Sequence, residues 1–212
     1  MDNNRISVLV GGDIAAPDHP SIDVIGTAPT GNETVAQVLT ELPDTLLLDV
    51  SIGEPDARAV CRRIREWAPV TKVLVVSELD DQALYSTLVA GAAGAVLAGQ
   101  PSDHWAAALA TITNGGSALA SRAAFRILHD IDAWAEKSAD PLYPPPTLTA
   151  TEREVLVGLA AGRSTATIAA SHAVTPHLVE QHAGYAVAKL HRYVLGAETL
   201  GTPEQDGVAK PR

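Results

Sequence analysis

Five short apolar runs in the first hundred residues set the framework of the chain. Residues 6–10 (ISVLV), 23–28 (DVIGTA), 45–50 (TLLLDV), 72–77 (KVLVVS) and 93–98 (AGAVLA) are β-branched or leucine-rich. They lack strict alternation, as expected of parallel strands buried on both faces. Between them apolar residues recur at helical spacing: 33–42, with Val35, Val38, Leu39 and Leu42 on one face, then 56–67, 81–90 and 103–113. A further helical pattern spans 118–135. Strands alternating with helices predict an α/β fold, a five-stranded doubly wound parallel sheet with its ligand site at the carboxyl ends of the strands. One crossover is unusual. Residues 11–22 (GGDIAAPDHPSI) are close to the minimum of about 10–12 for a parallel connection, and Pro17 and Pro20 forbid a regular helix across them. The first helix is therefore expected to be shortened or absent. The apolar sheet face it would cover is left to Trp105 and its neighbours, to a second subunit, or to a small molecule.

The pattern changes after residue 137. Residues 137–147 (KSADPLYPPPT) read as a stiff extended linker. Residues 148–190 then hold three short helices with readable start signals. Thr149 and Glu152 form a capping box, and Val155, Leu156, Leu159 and Ala160 make an apolar stripe that ends at Gly162, where a left-handed stop is wanted. Ser164 caps a second helix with Ile168 and Ala169 inward. After a turn through Ala173 and Val174, Thr175 and Pro176 open a third. Its buried face is Val179, Ala183, Ala186, Val187 and Leu190. Two helices, a tight turn and a longer helix make a helix-turn-helix, whose last helix enters the major groove of DNA.

The residues Leu148, Thr149, Glu152, Arg153, Glu154, Val155, Leu156, Ala160, Gly162, Ser164, Ile168, Ala169, Val179, His182, Lys189 and Leu190 stand in one fixed register. In that register the segment resembles the output domain of NarL/LuxR-type two-component response regulators. The order of elements resembles a receiver domain joined to that output domain. The resemblance divides the chain into a receiver-like domain at 1–116, a linker helix and Pro-rich linker at 117–147, a LuxR-type helix-turn-helix at 148–195 and a disordered tail at 196–212. It implies that Asp49, ending the third strand, holds the phosphoacceptor position and that Ser77, ending the fourth, is the Ser/Thr that follows the phosphoryl group.

Composition narrows the picture. At 212 residues the chain is comfortable for two domains, and with 46% hydrophobic and 19% charged residues it can bury a real core. No apolar run approaches the ~20 residues of a membrane span, and MDNNRISVLV lacks the pattern of a signal peptide, so no membrane partner and a cytoplasmic location are expected. The single cysteine, Cys61, is expected as a small buried hydrophobe. Residues 1–140 carry nine Lys/Arg against nineteen Asp/Glu, and residues 141–212 carry six of each. A DNA-binding half usually has a positive excess, because phosphate neutralisation supplies most non-specific affinity. This one is neutral.

Both halves depart from the family. The family's receivers hold Mg²⁺ with an acidic pair after the first strand; the aligned residues are Gly11 and Gly12, with Asp13 one place along. The lysine expected after the fifth strand is Ala98, the switching aromatic is Ala95, and the Met-Pro after the acceptor is Ile52-Gly53. A hard cation with one carboxylate and no close second is poorly held, so Asp49 is expected as an unphosphorylated structural carboxylate, with no metal and no cofactor. On the third output helix the outward residues include His177, Gln181 and Tyr185. Gln181 can pair with adenine, and His177 and Tyr185 can reach phosphates or base edges. With Thr175, Lys189 and Arg163 they form the expected DNA contact set. Glu180 stands where the family has lysine, and Ala166 where a basic residue is common. Gly184 costs a helix ~1 kcal/mol relative to Ala. His172 and His182 are expected as packing residues, and no fourth helix is visible after Leu190. The expected function is a DNA-binding transcription regulator, homodimeric through its receiver half and independent of phosphorylation, with double-stranded DNA as partner and a small-molecule ligand as a further option. The alternative is an interaction protein that pairs with a true regulator without touching DNA. No nucleophile–base pair, metal cluster or cofactor loop points to an enzyme.

Overall fold

The computed structural model describes residues 5–15, 17–79, 82–137 and 144–199, with backbone alone for 197–199. Five parallel strands, β1 (Ile6–Gly11), β2 (Ile22–Ala28), β3 (Thr45–Asp49), β4 (Lys72–Ser77) and β5 (Gly94–Leu97), lie in the order β2-β1-β3-β4-β5. The chain starts inside the sheet, steps to the β2 edge and returns on the other side of β1. The strand order thus reverses between β1 and β3, and a crevice opens there at their carboxyl ends. The predicted strands agree with these to within two residues at each end.

One face of the sheet carries α1 (Gly31–Glu41), α2 (Ala57–Trp67) and α3 (Gln82–Ala90). Their starts are local: Thr30 Oγ1 accepts the Glu33 N–H, and Asp56 Oδ1 accepts the Ala59 N–H at 2.8 Å. Cys61 is buried within this core, and burial pushes its thiol up to about 12, so it is inert at neutral pH. The other face is covered by α4 (Ser102–Thr113). No helix interrupts the described residues between β1 and β2, as the two prolines require. Trp105 fills the space instead. It belongs to the same buried cluster as Val8, Val10, Ile22 and Leu47, and its indole N–H donates to the Gln100 carbonyl at 2.9 Å. Val8 and Val10 are wholly buried. The chain itself closes this face, so neither a second subunit nor a small molecule is needed over β1.

The linker helix α5 runs Ser121–Lys137 and starts three residues later than its pattern suggests. Residues 118–120 are taken by the free edge of β5: the Ala95 N–H donates to Ala118 O at 2.8 Å and the Ala120 N–H to Ala95 O at 2.7 Å. That pairing blunts the edge strand. Then follow α6 (Ala150–Ala160), α7 (Thr165–His172) and α8 (Pro176–Thr199). The Thr149/Glu152 capping box closes reciprocally, Ser164 caps α7, and Gly162 adopts φ +74. The predicted inward residues Val155, Leu156, Ile168, Val179, Ala183 and Leu190 are all buried. α8 differs from its expected length. It continues four residues past 195, where a tail was expected to begin; residues 200–212 lie outside the described set, as do 138–143 of the Pro-rich linker.

Candidate nucleic-acid interface and acceptor pocket

The two receiver positions lie at the carboxyl ends of neighbouring strands, β3 and β4. Asp49 Oδ1 accepts the Ser51 N–H at 2.8 Å, and Ser77, 5% exposed, accepts the Leu79 N–H on Oγ at 3.1 Å. The backbone of Gly12 lies directly over Asp49. A Cβ built at Gly12 would overlap the Asp49 Cβ, and Gly12 has φ +99, a region that side chains rarely adopt. A carboxylate at position 12 therefore has neither room nor a comfortable backbone. Asp13, next along, is exposed.

The output helices place Thr175 as the cap of α8, its Oγ1 accepting the Leu178 N–H at 3.3 Å. Pro176 takes the first helical position. His177, Tyr185 and Arg163 are exposed and Gln181 is half-buried; the Tyr185 ring stands edge-on to His182, with centroids 5.9 Å apart. His177 Nδ1 faces Glu180 Oε2 at 4.0 Å. Lys189 requires correction. Its ammonium donates to Glu152 Oε2 at 2.7 Å and to the Thr147 carbonyl at 3.0 Å. Glu152 is 3% exposed and accepts the Thr149 N–H on the same oxygen. Burial disfavours the Glu152 carboxylate, yet hydrogen bonds from Lys189 and Thr149 outweigh it and hold the group below its usual range. Lys189 thus locks the start of α6 to α8 rather than facing outward. Arg153 is likewise committed, in a two-pronged pair with Asp132 of α5 at 2.5 and 3.0 Å. That pair lowers the Asp132 carboxyl and raises the Arg153 guanidinium. His172 also differs from expectation: it is exposed at the end of α7, with Nδ1 3.5 Å from Glu154, whereas His182 is half-buried.

The contact that sequence reasoning missed joins α8 to the receiver. The Ser117 N–H donates to the Glu180 carbonyl at 3.1 Å, and Ser117 is buried. Gly184, one turn further along α8, lies so close to the loop after α4 that a Cβ there would collide with the Gly115 carbonyl oxygen and sit 3.0 Å from Gly116 Cα. Two turns on, His191 Nε2–H donates to the Leu88 carbonyl of α3 at 2.8 Å. Burial, with Arg65 nearby, lowers the pKa of this imidazole, while the Leu88 bond opposes the shift. The signal was present in Gly184, a helix-interior glycine, and in the Gly115-Gly116 pair, but nothing local says that they meet. On α8 the exposed Leu178 and Tyr185 and the half-buried Gln181 lie on the side away from Ala183, Ala186 and Leu190. The receiver occupies the flank beside them.

No family model matches the chain. The protein named NarL of Mycobacterium tuberculosis is 31% identical over 163 residues, covering 76% of this chain and 73% of that protein. The DNA-binding transcriptional activator DevR/DosR of the same species is 30% identical over 172 residues, covering 81% and 77%. Among solved structures, the RcsB response regulator of Salmonella typhimurium aligns over 93% of this chain and 99% of that one, with 20% identity and a TM-score of 0.47. Within the described residues no helix is long and apolar enough to cross a membrane. At the identity and coverage of the two Mycobacterium tuberculosis relatives, the chain belongs to the NarL/LuxR-type family of two-component response regulators.

Proposed function

We propose that the chain is a DNA-binding transcription regulator whose receiver acts on α8 by docking and undocking, without a phosphoryl switch. The observation that carries the second part is Gly12. Its backbone abuts Asp49 and takes the space in which a second carboxylate would stand. A second carboxylate there would hold Mg²⁺, the cation that offsets the charge of phosphoryl transfer. Thr175, His177, Gln181, Tyr185 and Arg163 are the residues proposed to meet DNA; Lys189 is withdrawn from that set. The docked arrangement is the resting form. A helix in backbone contact with Gly115 and Ser117 cannot also lie in a major groove, so DNA selects an undocked form. The receiver half is the proposed dimerising unit, and the apolar residues Val24, Ile25 and Leu39 exposed along β2 and α1 offer it a surface.

A mobility-shift titration against the DNA upstream of the protein's own coding region, at low and moderate salt, tests DNA binding. A sequence-selective shift is expected, and its absence at both salts contradicts the reading. Intact mass after incubation with a small phosphodonor and Mg²⁺ tests the rest; no added phosphate is expected on Asp49. The second reading, an interaction protein that pairs with a true regulator, is favoured by Lys189 and Arg153 being committed to ion pairs and by Glu180 on α8. Co-purification with another regulator, together with no DNA shift, distinguishes it.

A further inference from the structure

Beside the docked α8, at the amino-terminal end of the sheet, lies a cavity of about 250 Å3 that neither the acceptor pocket nor the DNA face uses. Its walls come from both halves of the molecule. Arg65 near the end of α2 and Lys72 at the start of β4 belong to the receiver, and His191 and Gly184 belong to α8. Gly91 and Gly116, bare of side chains, widen it. Among the described residues no carboxylate lines it, although the chain carries 25 acids against 15 Lys/Arg. Arg65 and Lys72, with the His191 imidazole beside them, gather positive potential around one cleft on an acidic protein. The backbone N–H groups of Gly91, Gly116 and Ser117 are already bonded to carbonyls, so recognition falls to the side chains. An arginine fork with a lysine point charge suits phosphate oxygens. His191 gives its Nε2 proton to Leu88 O, and protonation would make Nδ1 a second donor. The volume lies below the ~300–1,000 Å3 typical of sites for drug-sized ligands, which suits a compact anion.

We propose that this cleft binds a small phosphate-bearing anion through Arg65, Lys72 and His191, and that the anion ties α8 to the receiver. A ligand held by both walls stabilises the docked form by mass action, since undocking pulls its ligating groups apart. An anion between Arg65 and His191 also favours the imidazolium, so affinity rises as pH falls towards 6. Glu180 is turned to His177 on another part of α8, and the groups facing His191 are Arg65 of α2, the Leu88 carbonyl of α3 and Lys72 across the cavity. The proposal does not depend on DNA binding.

The test is isothermal titration of the full chain with inorganic phosphate, pyrophosphate and adenosine monophosphate, each against chloride at matched ionic strength, at pH 6.0 and 7.5. Comparison of the three separates a free phosphate from a nucleotide phosphate. Saturable binding of at least one is expected, tighter at pH 6.0, weakened about tenfold by Lys72→Gln, and accompanied by slower hydrogen exchange at the Ser117 amide. Lys72 has one long described bond, to Pro69 O at 3.3 Å on the surface, so the substitution leaves the core intact. No saturable binding of any of the three overturns the proposal. So does equal affinity of native protein and Lys72→Gln, or a Ser117 amide whose exchange the anion leaves unchanged.

Discussion

The two ends of the sheet have been put to different uses. At the carboxyl ends of the strands lie Asp49, Ser77 and the Gly12 turn, where the family performs its chemistry. At the amino ends lie Lys72, Gly91 and the Gly115–Ser117 loop, against which α8 is docked. Strands of five or six residues separate these ends by roughly 17–20 Å. The carboxyl end is closed by backbone packed on a carboxylate. At the amino end α8 meets the receiver through close glycine–glycine packing, two hydrogen bonds and an apolar cluster shared by both halves, with a basic cleft beside them. On the proposed reading, control of the output helix lies at the amino end.

The largest effect expected from breaking that contrast is at Gly12. Gly12→Asp restores a carboxylate in sequence, but its Cβ overlaps Asp49 and its φ of +99 is strained. Strain and overpacking together should destabilise the protein by roughly 2–4 kcal/mol, measurable as a lower urea midpoint, with no phosphate gained by intact mass. Next comes Gly184→Ala. The added methyl meets the Gly115 carbonyl oxygen, while Ala stabilises a helix by ~1 kcal/mol over Gly. The output fold should persist and the docking should fail. Losing the Ser117 bond and the packing around it, worth together about 1.4 kcal/mol, raises DNA affinity about tenfold in a mobility-shift titration.

A smaller effect follows pH. Burial lowers the His191 pKa in the docked form, and undocking returns it towards 6.5. The docked form binds fewer protons, so its stability is full above pH ~6.5 and is lost as pH falls below that value through the lowered pKa. In buffers free of phosphate, DNA affinity should rise about threefold between pH 7.5 and 6.0, and His191→Gln should flatten the profile. The smallest effect is Asp49→Asn. The amide oxygen still accepts the Ser51 N–H, so stability should change by less than ~1 kcal/mol and DNA affinity should stay the same. A large loss of DNA binding there would move control back to the carboxyl end.

What could be read in the sequence was local. The five strands announce themselves as apolar runs, and Thr149, Ser164, Asp56 and Gly162 mark helix ends because each bonds or turns within four residues. The missing first helix was readable from Pro17 and Pro20. What escaped was set by partners far along the chain. Lys189 looked like a phosphate contact because its carboxylate, Glu152, is 37 residues away. Residues 118–120 looked like a helix start because the β5 edge that claims them is folded elsewhere. Gly184 looked like a weak point in a helix until Gly115 and Gly116 were seen against it.

Hydrogen exchange at the Ser117 amide, with and without the duplex that the protein shifts, tests the central claim most directly. That amide reports the bond to Glu180, which exists only while α8 rests on the receiver. Exchange is expected to be slow in the free protein and to accelerate when DNA is bound. DNA binding with the amide as protected as before would show that docking and DNA are compatible, and would contradict the account.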